Sequence, residues 1–164
     1  MTSALVEEAV KKASLAWISV GDRPARGLWC MPFEGALILV SGPGEQAAPG
    51  LANATRATVR LRGDTGGLIV VWTAVVARLS PGSEEWLTIA PQLAGKRLNA
   101  SGTAADLVAR WAADGCAVVR LTPADDPATA APDLPDDSQA AEVRETPARV
   151  DVRKPFRLHR VRKR

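Results

Sequence analysis

ATVRLRGDTGGLIVVWTAVVARL, residues 57–79, is a hairpin written in sequence. In its first half Val59 and Leu61 alternate with Arg60 and Arg62, the period-two pattern of a strand with one apolar face and one wet face. Gly63-Asp-Thr-Gly-Gly67 supplies the residues that a tight turn demands. The second half, Leu68 to Leu79, is rich in β-branched residues and predicts a long strand. Strands joined by a tight turn pair antiparallel, and this pairing sets the reading of the rest of the chain.

Upstream, Ser3 to Ser14 places Leu5, Val6, Ala9, Val10 and Ala13 on one face of a helix. Leu15–Val20 and Ala25–Met31 read as strands around the turn Gly21-Asp-Arg-Pro24. A second turn, Pro32 to Gly35, leads to a third strand, Ala36–Ser41. A loop and one helical turn, Gly50 to Ala54, follow. Downstream, Ser83 caps a helix whose first turn carries Glu84 and Glu85, with Pro91 opening or kinking its continuation to Leu98. Thr103 and Asp106 form a capping-box pattern for a helix that ends at Gly115. Cys116–Leu121 closes the series as a sixth strand. Six short strands with few helices between them predict a mainly β (α+β) fold, a barrel or a strongly curved sheet, and not a doubly wound parallel one.

Composition removes much of the catalytic menu. The only histidine is His159, so residues 1–158 hold no imidazole for a Ser-His-Asp or Cys-His arrangement. Tyrosine is absent, and Cys30 and Cys116 form no CxxC pair. No Cys/His or Asp/Glu spacing fits a metal site, so no metal is expected. Any redox chemistry would then belong to a bound cofactor. The N-terminus has no apolar signal core and no apolar run approaches the ~20 residues that span a bilayer, so a cytoplasmic location with no membrane contact is expected.

Charge divides the chain into three. Residues 1–123 carry net +2 and form the folded domain. Residues 124–148 carry net −6 in an Ala/Pro/Asp-rich stretch with few large apolar side chains, which reads as a linker. Residues 149–164 carry net +7 and read as a disordered basic tail, whose partner would be nucleic acid or an acidic protein.

Three local patterns stand out as sites. Gly42-Pro-Gly44-Glu-Gln-Ala47 matches GxGxxA after a strand, but Pro49-Gly50 follows at once and leaves no helix to face a pyrophosphate, so it reads as an inter-strand loop. Arg60 and Arg62 share one strand face, where guanidinium groups suit phosphate or simply meet solvent. Lys96 and Arg97 lie at a helix end, where cations favour the dipole. The five tryptophans read first as core, with Trp29 and Trp72 in strands able to flank a planar ring.

The succession Leu15-Ala-Trp-Ile-Ser-Val20, Gly21-Asp-Arg-Pro24, Trp29, Glu34-Gly35-Ala-Leu-Ile-Leu-Val-Ser41 and Pro49-Gly50-Leu51 resembles the flavin-binding split barrels. These are the pyridoxamine 5′-phosphate oxidase-like proteins, including actinobacterial FMN- and deazaflavin-dependent oxidoreductases. The resemblance covers residues 4–123. It implies a six-stranded antiparallel split barrel that homodimerises and holds FMN or a deazaflavin in grooves at the dimer interface. It places Arg26 and Ser41 at cofactor positions, Trp29 at the ring, and Arg60, Arg62, Lys96 or Arg97 as further anion ligands. Glu45 and Gln46 stand where the family has a hydroxyl and a cation, so Gln46 is at a cofactor position with altered chemistry.

The function expected on this basis is hydride transfer between a flavin-type cofactor and a small organic substrate. The alternative is a non-catalytic dimeric barrel with a degenerate cofactor site, and a further one is nucleic-acid contact through the basic tail.

Overall fold

The computed structural model describes residues 3–63, 67–130 and 147. The expected linker from residue 131 onward, residue 147 aside, and the expected disordered basic tail 149–164 lie outside the described residues.

The chain opens with helix α1 (Ala4–Lys12), then β1 (Leu15–Ser19), β2 (Arg26–Trp29), β3 (Met31–Phe33) and β4 (Ala36–Ser41). A single 3-10 turn, Leu51–Asn53, precedes β5 (Arg56–Arg62) and β6 (Leu68–Arg78). Helices α2 (Glu84–Lys96) and α3 (Ala104–Ala113) come next, and β7 (Ala117–Pro123) and the short β8 (Thr129–Ala130) finish the sheet. Every pairing is antiparallel, in the order β2-β1-β5-β6-β7-β4-β3, with β8 also on β6.

The two ends of that order are one piece of chain. β2 and β3 are separated only by Cys30, so the strand predicted over Ala25–Met31 bends there. Its first half pairs with β1 and its second with β4. The six expected strands therefore close into a nearly complete barrel, the antiparallel split barrel that the sequence predicts. The bend carries β3 through Pro32 and Phe33, which the sequence reading gave to a turn. Pro32 is admissible because β3 is last in the sheet order, where a missing N–H leaves no ladder bond broken.

Two apolar layers follow from the strand patterns. The lumen holds Ile18, Leu28, Leu39, Val59, Trp72, Ala74 and Val119, capped by Val6 and Val10 of α1. A second layer lies outside β3, β4 and β7, where Met31, Ile38, Val40 and Val118 meet Trp86, Ile89, Leu93, Leu107 and Trp111 of α2 and α3. β4 is thus buried along its whole length, which is why Ala36–Val40 is continuously apolar, while β5 alternates. The helical layer also reaches the outer side of β2 at Trp29, which packs against it.

Ser83 and Thr103 cap α2 and α3 as their spacing predicts, and Thr103 and Asp106 form a reciprocal capping box. α2 runs unbroken through Pro91, which sits on its exposed side. The sheet also continues past residue 123. The N–H of Ala124 donates to Thr73 O, Arg56 pairs with Asp126, and Thr129–Ala130 align with Val71 and Val70. The first residues of the acidic segment are therefore part of the sheet.

The Thr103 backbone and hydroxyl hold the Asp106 carboxyl below the ordinary range. A lowered folded-state pKa contributes stability that is present above the unfolded value and is lost as pH falls through the folded one. Thr103→Ala removes the cap and is expected to cost about 1 kcal/mol in urea unfolding at neutral pH, with the difference from wild type narrowing in acid.

Candidate binding sites at the barrel mouth and on the outer sheet face

The split between β2 and the end of β4 is filled by the loop 42–50. Gly42 starts it with φ 140°, and a Cβ there would stand 3.0 Å from the Cys116 Cα, so only glycine fits. A tight turn, with Glu45 N–H donating to Gly42 O, then reverses the chain. No helix opens after the glycines, which removes a dinucleotide role in agreement with the sequence reading.

The turn aims Gln46 and Glu45 in two directions. The Gln46 amide accepts from Trp29 N–H and donates to Trp29 O, both at 2.9 Å, as a neighbouring strand would. Glu45 points inward, fully buried. Its Oε2 accepts from Arg97 Nε at 2.8 Å, and its Oε1 accepts from Arg110 at 3.1 Å and from Trp111 Nε1 at 3.1 Å. One carboxylate thus ties the loop to the end of α2 and to α3. Burial and the nearby Glu45 charge push the Cys116 thiol up, and burial pushes Cys30 to about 12, so neither is an activated nucleophile.

Arg26 lies elsewhere. It pairs with Ile18 and therefore faces the lumen side, at the barrel mouth. With Arg23 it borders a cavity of about 110 Å³ walled by Val20, Leu28, Pro49 and Leu51. Neither guanidinium has an ion pair or hydrogen bond among the described residues. Gly50, at φ 82°, keeps the Arg23 guanidinium close, since a Cβ would lie 3.0 Å from its Nη1. Two guanidinium groups beside a small cavity are the donors that a phosphate or carboxylate requires.

The outer face of β1 and β2 carries the aromatic residues. The register sets Trp17 opposite Gly27 and Leu15 opposite Trp29, so all four share one face. The Arg62 guanidinium lies 5.4 Å from the Trp17 ring centroid, and that of Arg97 lies 5.8 Å from Trp29. Arg60, opposite Trp17, donates to the Ser19 hydroxyl at 2.9 Å. A groove of about 750 Å³ runs past Trp29, Lys11, Lys96 and Arg97, and a second of about 740 Å³ past Leu15, Trp17 and Arg62.

The residues expected to bind cofactor therefore separate. Trp29, Lys96 and Arg97 come together in one groove, and Arg60 and Arg62 stand on the same face further along. Arg26 is on the other side of the strand, Ser41 is buried at the end of β4 opposite Ala117, and Gln46 is bonded to backbone. Sequence reasoning passed over Arg23, Lys11, Trp17 and Arg110. Trp17 carries no sequence signal of its outward placement, because Leu15-Ala-Trp-Ile18 is apolar on both faces of its strand. The pairing of Glu45 with Arg110, 65 residues away, carries no sequence signal.

A flavin-type group fits this arrangement at its phosphate end only. Arg23 and Arg26 suit a phosphate, yet a cavity of about 110 Å³ is smaller than the ~150 Å³ that admits benzene, so a fused ring must lie outside it. The Trp29 backbone pair that a ring edge would use is already bonded to Gln46.

HutZ, the heme storage protein of Vibrio cholerae, matches with a TM-score of 0.54 at 12% identity, over 76% of this chain and 91% of that one. A conserved hypothetical protein from Mycobacterium tuberculosis matches with 0.53 at 17%, over 84% and 91%. A FAD-binding protein from Mesorhizobium loti matches with 0.51 at 15%, over 77% and 90%. No protein-family model and no curated protein sequence matches the chain. At these identities the likeness is one of fold: the chain shares the split-barrel architecture of these proteins. No helix among the described residues is long and apolar enough to cross a membrane.

Removing the buried carboxylate leaves two arginines and an indole N–H without their acceptor. Arg97 and Arg110 keep 26% and 40% exposure, so solvent recovers part of the loss. Glu45→Ala is expected to cost about 2–3 kcal/mol in urea unfolding, below the ~3–5 kcal/mol of a fully buried ion pair.

Proposed function

We propose that this chain binds a phosphate-bearing flavin-type cofactor, FMN or a deazaflavin, and uses it for hydride transfer with a small organic substrate. The observation that carries the reading is the Arg23–Arg26 pair, two guanidinium groups without partners among the described residues beside the barrel-mouth cavity. The FAD-binding and heme-storing neighbours of the same fold support a large planar ligand. When bound, the cofactor would carry the hydride. The chain's own part is to hold its phosphate through charge-assisted hydrogen bonds and to keep the ring against the barrel wall. A homodimer, in which a second copy completes the groove, belongs to the same proposal.

A second reading is favoured by one observation. The side chains of the 42–50 loop already satisfy Arg97, Arg110 and the Trp29 backbone, as a bound ligand would. On that reading the barrel is a non-catalytic dimeric module.

Titration of the full chain with FMN and with the deazaflavin coenzyme, followed by ligand fluorescence, decides between them. Saturable binding that weakens at least tenfold in Arg26→Glu supports the cofactor reading, and binding indifferent to that change removes it. Absence of binding by the wild type, with affinity gained in Glu45→Ser/Gln46→Lys, supports the degenerate site.

A further inference from the structure

We propose that the barrel-mouth cavity binds a short-chain aliphatic carboxylate, with the carboxylate on Arg23 and Arg26 and the hydrocarbon end in the apolar space beside Leu51.

The first observation is the contrast within the cavity wall. Ile18, Leu28 and Leu51 are buried and turn apolar surface to the cavity, and Val20 and Pro49 complete that side. The two guanidinium groups are the charged part of the lining, and no acid is among the lining residues. Arg26 is half-buried, level with Ile18 on the lumen side of β2, and has no counter-ion among the described residues. A cation drawn partly out of water into an apolar wall is costly until an anion meets it. An inorganic anion would satisfy the arginines and leave the apolar space unfilled, and water there finds few polar partners. A ligand with one anionic end and one apolar end matches both halves of the wall.

The second observation is size. The cavity of about 110 Å³ holds three or four groups at a water's ~30 Å³ each. A chain of three or four carbons beyond the carboxyl carbon fills it, as in butyrate or 3-methylbutyrate. A phenyl ring does not, since the cavity that admits benzene measures ~150 Å³.

The third observation is preorganisation. The Arg23 N–H donates to Val20 O at 3.3 Å across the turn, and Pro24 restricts the Arg23 backbone to extended conformations. Gly50 leaves the space that the Arg23 guanidinium occupies. The ladder between β1 and β2 holds the Arg26 backbone opposite Ile18. Both cations are therefore carried on fixed backbone before a ligand arrives, which lowers the entropic cost of binding.

A carboxylate here and the phosphate of a cofactor need the same guanidinium groups, so each excludes the other. That exclusion rests on the cofactor reading, whereas the binding of the acid does not. The acid would then regulate loading of the site.

The test is isothermal titration calorimetry of the full chain with acetate, propionate, butyrate and 3-methylbutyrate. Each added carbon should tighten binding about fourfold, the factor for burying one methylene. Butyramide, which lacks the charge, and benzoate, which exceeds the cavity, should each bind at least tenfold more weakly than butyrate. Arg26→Gln should weaken butyrate at least tenfold. Ala48→Leu narrows the cavity and keeps both arginines, so it should flatten the chain-length series while acetate still binds. Circular dichroism checks that both variants fold, and the series on the wild-type chain stands without them. Where FMN binds, 3-methylbutyrate should raise its apparent Kd in proportion to the acid added. Equal affinities for acetate and butyrate mean an adventitious ion only and overturn the proposal. So do butyramide binding that matches butyrate, indifference to Arg26→Gln, and FMN that the acid fails to displace. The chain-length series without FMN binding removes the cofactor reading alone. FMN binding with no acid bound at low millimolar concentration overturns this proposal alone.

Discussion

The bend at Cys30 is the constraint on which the rest of the structure depends. It lets one short segment serve as both ends of the sheet, pairing with β1 before the bend and with β4 after it. A closed sheet removes its edges, but a bent strand cannot keep full ladders with both neighbours. The backbone of Trp29 is what the bend leaves over, and it must find partners. Gln46 supplies them from a loop held by glycine at 42 against Cys116. Beside Gln46, Glu45 faces inward, toward the ends of α2 and α3.

That sequence of causes explains an otherwise awkward buried carboxylate. An isolated charge in an apolar layer would be prohibitive, and three donors from two helices offset the desolvation. The same network holds Arg97 over Trp29 and connects the interior of the second core to the exposed sheet face.

Much of the fold was legible because its local rules agree with one another. The alternation of 57–62, the glycine turn after it and the β-branched run to 79 specify a hairpin whatever surrounds them. The Thr103–Asp106 box and the Ser83 cap start their helices where the spacing says. The bend was not legible, since Trp29-Cys-Met31 has no glycine or bulge signal, and Pro32 argues locally for a turn. Site residues suffered from the same blindness. Residues 26 and 29 look adjacent in sequence, yet strand alternation puts them on opposite sides of the wall. Glu45 reads in sequence only as a departure from the family's hydroxyl, because nothing local announces Arg110 as its partner.

The closure by Gln46 has a dynamic consequence. Every other seam of the barrel is a ladder of backbone bonds backed by packed side chains, whereas this one is two hydrogen bonds from a single amide. Local opening follows the path of fewest broken contacts. The split is therefore the seam with the fewest backbone bonds, and amide protons beside it are expected to exchange ahead of those in the ladders.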